Sequence, residues 1–245
     1  MVALGTAATV IVSIGLLLPR ALRTEPSAVE PPGPDAARPG VESVPACRVG
    51  DARARFHSYE DWDRTLLDTR LRLPESYEPS DLVSTRRAGL RTSRPVRQIL
   101  VEDLADLRSA AEQAGNPVDV TWGYRSFVTQ RWVFEYWSKR KGRDATLRTA
   151  ARPGHSEHQL GTALDFKSEG AVNVDQGWRY EPAGVWMREN AWRFGFIESY
   201  PLGKESVSCY DHEPWHYRYF GRDLAAKIHA SGLTTREYLW REANG

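Results

Sequence analysis

Two short stretches of this chain hold residues whose types and spacing could do chemistry. One is Ser156-Glu157-His158-Gln159-Leu160-Gly161-Thr162-Ala163-Leu164-Asp165, and the other is Glu213-Pro214-Trp215-His216. Together they offer two imidazoles, one carboxylate as a third ligand, and a spare glutamate. Three protein ligands with one position left for water is the donor set of a catalytic zinc ion. The reaction type is then metal-assisted hydrolysis, with one zinc ion per chain as the expected cofactor.

Spacing dictates how His158, Asp165 and His216 can meet. His158 and Asp165 are seven residues apart. On one helix they would be separated by about 10 Å of rise, and on one strand by more than about 20 Å. Neither lets both reach a metal at about 2 Å. The chain must fold back between them, and Gly161 can take the backbone angles this needs. His158 is therefore expected in a turn and Asp165 on the strand that follows, with the small Ala163 on the same face leaving room for a metal. His216 is expected on a second strand. Pro214 argues against a helical Glu-x-x-His, so Glu213 should come from the turn entering that strand. With three ligands already present, Glu213 is assigned as general base rather than as a fourth ligand. Taken singly, each residue also has a plainer reading. A lone histidine is more often a satisfied core or surface residue, and Asp165 could simply cap or pair.

Three further residues fit the same pocket. Arg125, in Gly123-Tyr124-Arg125-Ser126, is a candidate fork for a substrate carboxylate, the bidentate task that guanidinium suits; the plainer reading is an exposed helix-start residue. Gln130 could come near that group from the first turn or so of the helix. Ser156 could hydrogen-bond substrate or merely hold its turn. Ser126 is read as a helix cap.

These side chains need elements to position them. Tyr59 to Leu71 has helical character and Leu73-Pro74 ends it. From Pro95 to Ala114, apolar residues at Val96, Ile99, Leu100, Leu104, Leu107 and Ala111 recur at helical spacing, with Gly115 as the stop. Val118 to Trp122 is expected as a strand, Ser126 to Lys141 as a helix, Thr162 to Phe166 as a strand and Ala183 to Phe194 as a helix. Trp215 to Tyr219 is expected as a strand and Gly221 to Ala230 as the final helix. Short strands and helices in irregular alternation predict an α+β fold with a small, mainly antiparallel sheet flanked by helices and the zinc site at the sheet.

The chain has 245 residues, 41% hydrophobic and 27% charged, with a net charge of +1. That is enough chain for a sizeable core, and nothing in its charge or motifs points to nucleic acid. Nine Trp and ten Tyr are a heavy aromatic load, much of it between Trp122 and Tyr219. Most are expected in the core, and some could line a cleft for an uncharged or sugar-bearing substrate. The apolar stretch from Val2 to Leu18 is at the short end of what spans a bilayer. Residues 1–23 are read as a membrane anchor or signal segment, and 24–47, rich in Pro, Ala, Glu and Gly, as an extended linker. The globular domain then covers 48–245. Cys47 and Cys209 either pair, tying the start of the domain to the loop before Glu213, or are free thiols.

Taken together, these residues resemble the D-alanyl-D-alanine carboxypeptidases of the VanY type, in the zinc peptidase group that also includes D-Ala-D-Ala dipeptidases and the hedgehog domain. The shared pattern is Ser-x-His-x-x-Gly-x-Ala-x-Asp followed by Glu-x-Trp-His. It is met here by Ser156, His158, Gly161, Ala163, Asp165, Glu213, Trp215 and His216. Gly-Tyr-Arg-Ser with a downstream Gln matches at Arg125 and Gln130. Leu73 to Pro79 and Asn190 to Phe196 match as well, so the resemblance runs over roughly 66–230. It implies His158, Asp165 and His216 as zinc ligands, Glu213 as the base, and Arg125, Ser156 and Gln130 as substrate anchors. It also implies removal of the terminal D-Ala from peptidoglycan stem peptides, outside the cell membrane, by a monomeric enzyme. An L,D-carboxypeptidase trimming tetrapeptide stems and a non-catalytic, zinc-stabilised wall-binding module are the alternatives. Trp122 departs from the small residue common before the Gly-Tyr-Arg-Ser element. His212 adds an imidazole next to Glu213 and is read as exposed.

Overall fold

Period-two alternation separates a core face from a site face in two segments. In Ala163-Leu164-Asp165-Phe166, the residues Leu164 and Phe166 enter the main core, which leaves Ala163 and Asp165 on the opposite face. In His216-Tyr217-Arg218-Tyr219, Tyr217 and Tyr219 are the core residues, so His216 and Arg218 share that opposite face.

The computed structural model describes residues 43–244, so the apolar stretch and the linker up to residue 42 lie outside the described residues. Strand β1 (Ala52–Arg53) pairs in parallel with β2 (Leu71–Arg72), and β3 (Leu82–Ser84) pairs antiparallel with β4 (Pro95–Arg97). Helix α1 (Val101–Gln113) leads to β5 (Val118–Trp122), followed by α2 (Phe127–Lys141), α3 (Arg143–Thr149) and β6 (Ala163–Ser168). Then come α4 (Pro182–Asn190), β7 (Phe196–Glu198), α5 (Glu205–Ser208), β8 (His216–Tyr219), α6 (Arg222–Ser231) and α7 (Thr235–Asn244). The central sheet has the order β5-β6-β8-β7 and is antiparallel throughout. The fold is α+β, with small antiparallel sheets and flanking helices.

Leu104, Leu107 and Ala111 of α1 and Ala183 and Met187 of α4 are buried with the core face of the sheet. Full burial of each such Leu or Met contributes about 1.5–3 kcal/mol. A second cluster of Leu67, Leu73, Tyr77 and Leu160 lies under the turn that carries His158. A third packs α6 and α7 on Leu66 and Phe220.

Several elements differ from the sequence expectation. Tyr59 to Leu71 holds only a single 3-10 turn, Tyr59–Asp61. The Thr65 hydroxyl donates to the Asp61 carbonyl, and the Asp68 carboxylate accepts the amides of Arg70 and Leu71 at 2.8 Å each. These local side-chain bonds offer the backbone an alternative to helix. The helix predicted from Pro95 begins at Val101, because Pro95–Arg97 pairs with β3 instead. The predicted final helix is followed by α7. Trp132 and Trp137 of α2 are exposed, not core. Among the described residues no helix is long and apolar enough to cross a membrane.

Candidate active site

Asp165 and His216 face each other directly across β6 and β8. Opposed residues on neighbouring strands present their side chains on the same face, about 5 Å apart. His158 reaches them from the 3-10 turn Glu157–Leu160. The fold-back between His158 and Asp165 occurs at Gly161, whose φ of +74 is a left-handed conformation that L side chains avoid. Gly161 also lies against Arg97, Leu82 and Pro79, where a side chain would collide.

One ligand atom from each of His158, Asp165 and His216 lies within 4.8 Å of the other two. All three residues are buried. The His158 Nδ1–H donates to the Gly123 carbonyl at 2.8 Å, which leaves Nε2 turned toward Asp165 Oδ1 at 3.3 Å. His216 is reversed: its Nε2 is bonded to Glu157 at 2.9 Å and its Nδ1 lies 3.0 Å from Asp165 Oδ1. Donors bound to zinc at about 2.0–2.1 Å in a tetrahedral site lie roughly 3.3 Å apart. The donor set and its spacing therefore fit a divalent ion of the zinc type, and each imidazole has its second nitrogen fixed by an acceptor. Burial opposes charge on Asp165, yet the two histidines hold its carboxyl well below the usual range. Burial also opposes charge on His216, but Asp165 and Glu157 raise it to about 10, so a proton competes with a metal for this site.

Glu157 is the site residue that sequence reasoning missed. Its buried carboxylate accepts from His216, from Ser199 Oγ at 2.6 Å and from Arg218 Nη1 at 3.1 Å. Burial would raise its carboxyl, but the His216 hydrogen bond and the Arg218 charge hold it at about 2. Its partners are 42 to 61 residues away in the chain. The one sequence signal was its place between Ser156 and His158.

Glu213 enters from a turn. The His216 amide donates to the Glu213 carbonyl at 3.0 Å with Pro214 next in line, the usual place for proline in such a turn. Among the described residues the Glu213 carboxylate makes no hydrogen bond; it faces the cavity. Burial and the neighbouring carboxylates outweigh His216 and Arg125 and push it up to about 7.

Arg125 follows β5, where the register slips between Val120 and Trp122. Such a bulge re-aims the chain. The next residue, Gly123, lies so close to β4 that a Cβ would stand 2.4 Å from the Pro95 carbonyl oxygen. The Arg125 amide donates to the His158 carbonyl at 3.1 Å, and its Nη1 donates to Gln130 Oε1 at 2.9 Å. Nη2 is 3.7 Å from Asp165 Oδ2, while Nε is buried with no partner among the described residues. The Ser126 hydroxyl caps α2 by accepting from the Thr129 amide at 3.1 Å. The Ser156 hydroxyl caps nothing and lines the cavity.

The cavity that brings these residues together has a volume of about 930 Å³. Arg125, Gln130, Ser156, His158, Asp165, Glu213 and His216 all line it, with Tyr200 stacked on His216 at 4.9 Å. His212 corrects the sequence reading. It is buried, not exposed, and its Nε2 is 3.0 Å from Glu198 Oε1. Burial lowers the imidazole and raises the Glu198 carboxyl to about 7, which disfavours an ion pair between them. Cys47 and Cys209 form a disulfide with Cα atoms 5.3 Å apart.

A family profile described as D-alanyl-D-alanine carboxypeptidase, VanY, matches residues 93–222. A D-alanyl-D-alanine carboxypeptidase of Enterococcus faecalis is 34% identical over 194 residues, covering 74% of this chain and 66% of that protein. The chain thus spans about two-thirds of that relative's length. The LdcB LD-carboxypeptidase superposes with a TM-score of 0.64 at 31% identity, covering 71% of this chain and 84% of the other. A mutant of the vancomycin-resistance D,D-pentapeptidase VanY, from a VanB-type cassette and in complex with Zn(II), superposes at 0.61 and 32% identity, covering 73% and 99%.

Proposed function

The chain belongs to the VanY family of D-alanyl-D-alanine carboxypeptidases, and from that premise we propose that it is a zinc-dependent D,D-carboxypeptidase removing the terminal D-Ala of peptidoglycan stem peptides. One observation carries the reading: a nearly buried guanidinium whose Nε has no partner among the described residues stands beside a His-Asp-His donor set and a glutamate likewise unbonded among them. That combination can fix a chain-terminal carboxylate at one end of a scissile peptide bond and manage a proton at the other.

His158, Asp165 and His216 would hold the zinc. The chemistry zinc supplies in such a site is polarisation of the scissile carbonyl and acidification of water toward neutrality. Glu213 takes the proton of the attacking water and passes it to the leaving amine. Arg125, steadied by Gln130, forks onto the carboxylate of the terminal residue, which makes the enzyme an exopeptidase. Ser156 hydrogen-bonds the peptide next to it. The Cys47–Cys209 disulfide supports an extracytoplasmic location, since such bonds persist in oxidising compartments. With residues 1–23 as anchor or signal and a linker after them, the domain that the Cys47–Cys209 bridge closes works outside the membrane as a monomer.

The test is release of D-alanine from a muramyl-type pentapeptide stem by the purified protein, with and without chelator and added zinc. Zinc-dependent release of one D-Ala is expected. The likeness to LdcB supports a second reading, L,D-cleavage of a tetrapeptide stem. Cleavage of the tetrapeptide alone would replace the first reading by the second, and silence on both would remove both.

A further inference from the structure

Helix α2 carries an aromatic face that neither the core nor the reaction uses. Gln130 and Phe134 of α2 are buried, while Trp132, Tyr136 and Trp137 expose 66%, 50% and 41% of their surface. These three rings and Lys141 line the same cavity as Arg125 and Glu213. Large rings left exposed together are uncommon in soluble domains and mark a surface that meets something. Tyr136 and Trp137 pack edge to face at 5.2 Å. Arg140 lies over Tyr136 and Lys141 over Trp137, each at 5.0 Å. Among the described residues Trp132 stacks on no ring or cation. The cavity also carries the polar groups Asp175, Gln176, Asp211 and His212, together with further aromatic residues such as Trp122 and Trp215.

We propose that the aromatic face of α2 is a subsite for the N-acetylated amino sugar to which a stem peptide is joined, so that glycan-linked stems are preferred over free peptides. The inference rests on the stem-peptide reading above. A pyranose ring has an apolar C–H face and polar hydroxyl and acetamido edges. Exposed rings and hydrogen-bonding groups lining one cavity match that amphipathic shape. Reach agrees as well. From Gln130, which holds Arg125, α2 rises about 16 Å to Lys141. A five-residue peptide spans about 17 Å when extended. A stem with its carboxylate at Arg125 thus brings its sugar-bearing end to the level of the far end of α2.

The experiment compares release of D-Ala from a free pentapeptide stem and from the same stem on an N-acetylglucosaminyl-N-acetylmuramic acid disaccharide. It uses the wild-type protein, Tyr136→Ala and Trp137→Ala, the two rings toward the far end of α2. The expected wild-type KM is about tenfold lower for the disaccharide form, equivalent to about 1.4 kcal/mol. Each variant is expected to lose most of that preference while kcat/KM on the free stem stays within about twofold, as for a surface substitution. Equal wild-type KM for both stems overturns the subsite, and so does an equal loss on both substrates in the variants. Loss of phosphatidylglycerol vesicle binding in the variants, with no change in the glycan preference, would assign the face to a membrane and overturn it too. If neither stem is cleaved, the carboxypeptidase reading fails on its own. Calorimetric titration with the peptide-free disaccharide then decides the subsite: wild-type binding abolished by Tyr136→Ala or Trp137→Ala sustains it, and no wild-type binding overturns it.

Discussion

Glu213 and Glu157 are two buried-site carboxylates given opposite tasks by their surroundings. Glu213 has no hydrogen-bond donor and is pushed up to about 7, whereas Glu157 has three donors and is held at about 2. In the proposed role of general base Glu213 works deprotonated, and a cation held by its neighbours would pull it below 7. We therefore expect kcat/KM to fall as pH drops through an apparent pKa no higher than about 7, and Glu213→Gln to lose about 10²–10⁴-fold in kcat while still binding zinc. Substantial residual turnover, or an acid limb unchanged in the variant, would remove Glu213 as base. Glu157→Gln should leave Arg218 facing a neutral group and weaken zinc binding by about 10–100-fold, as measured by competition with a chelator. Unchanged affinity would show that Glu157 does not tune His216. The histidines of the candidate metal set stood out because their motifs are local. Glu157 and His212 were misjudged because Arg218, Ser199 and Glu198, the groups that bury and bond them, arrive from remote strands and loops.

At the level of elements, β5, β6, α2, α4 and β8 could be located from local patterns, although β6 and β8 are buried on both faces. The segments before α1 could not. Pro95–Arg97 carries apolar residues at helical spacing, but pairing with β3 takes its backbone. Tertiary pairing of that kind leaves no trace in a local window. That same strand also explains Gly123, whose missing side chain lets the 123–125 segment pass against Pro95 and offer its carbonyl to His158. Gly123→Ala should cost about 1–3 kcal/mol through overpacking. Because the displaced carbonyl orients a ligand, zinc affinity should fall together with the thermal midpoint. A stability loss with metal affinity intact would separate the two roles.

For the whole molecule, the covalent closure is the long one. Cys47 and Cys209 are 162 residues apart, and the sequence offered only an even pair of cysteines from which to guess it. Arg236 of α7 reinforces the same junction, bonding Asp68 at 2.8 Å and the Pro45 carbonyl at 2.9 Å. Replacing both cysteines with serine should lower stability by about 2–5 kcal/mol, read from denaturant unfolding. An unchanged midpoint would mean that the Arg236 contacts alone hold the junction. This closure also sets a load path. A pull on the chain upstream of residue 47 does not enter the fold at β1 alone. It divides at Cys47, and one branch runs through sulfur to Cys209, four residues before Glu213. Under the anchored reading proposed above, tension would therefore be delivered next to Glu213, the proposed base, and the distance from the point of attachment to the cell wall would become a mechanical input to the site.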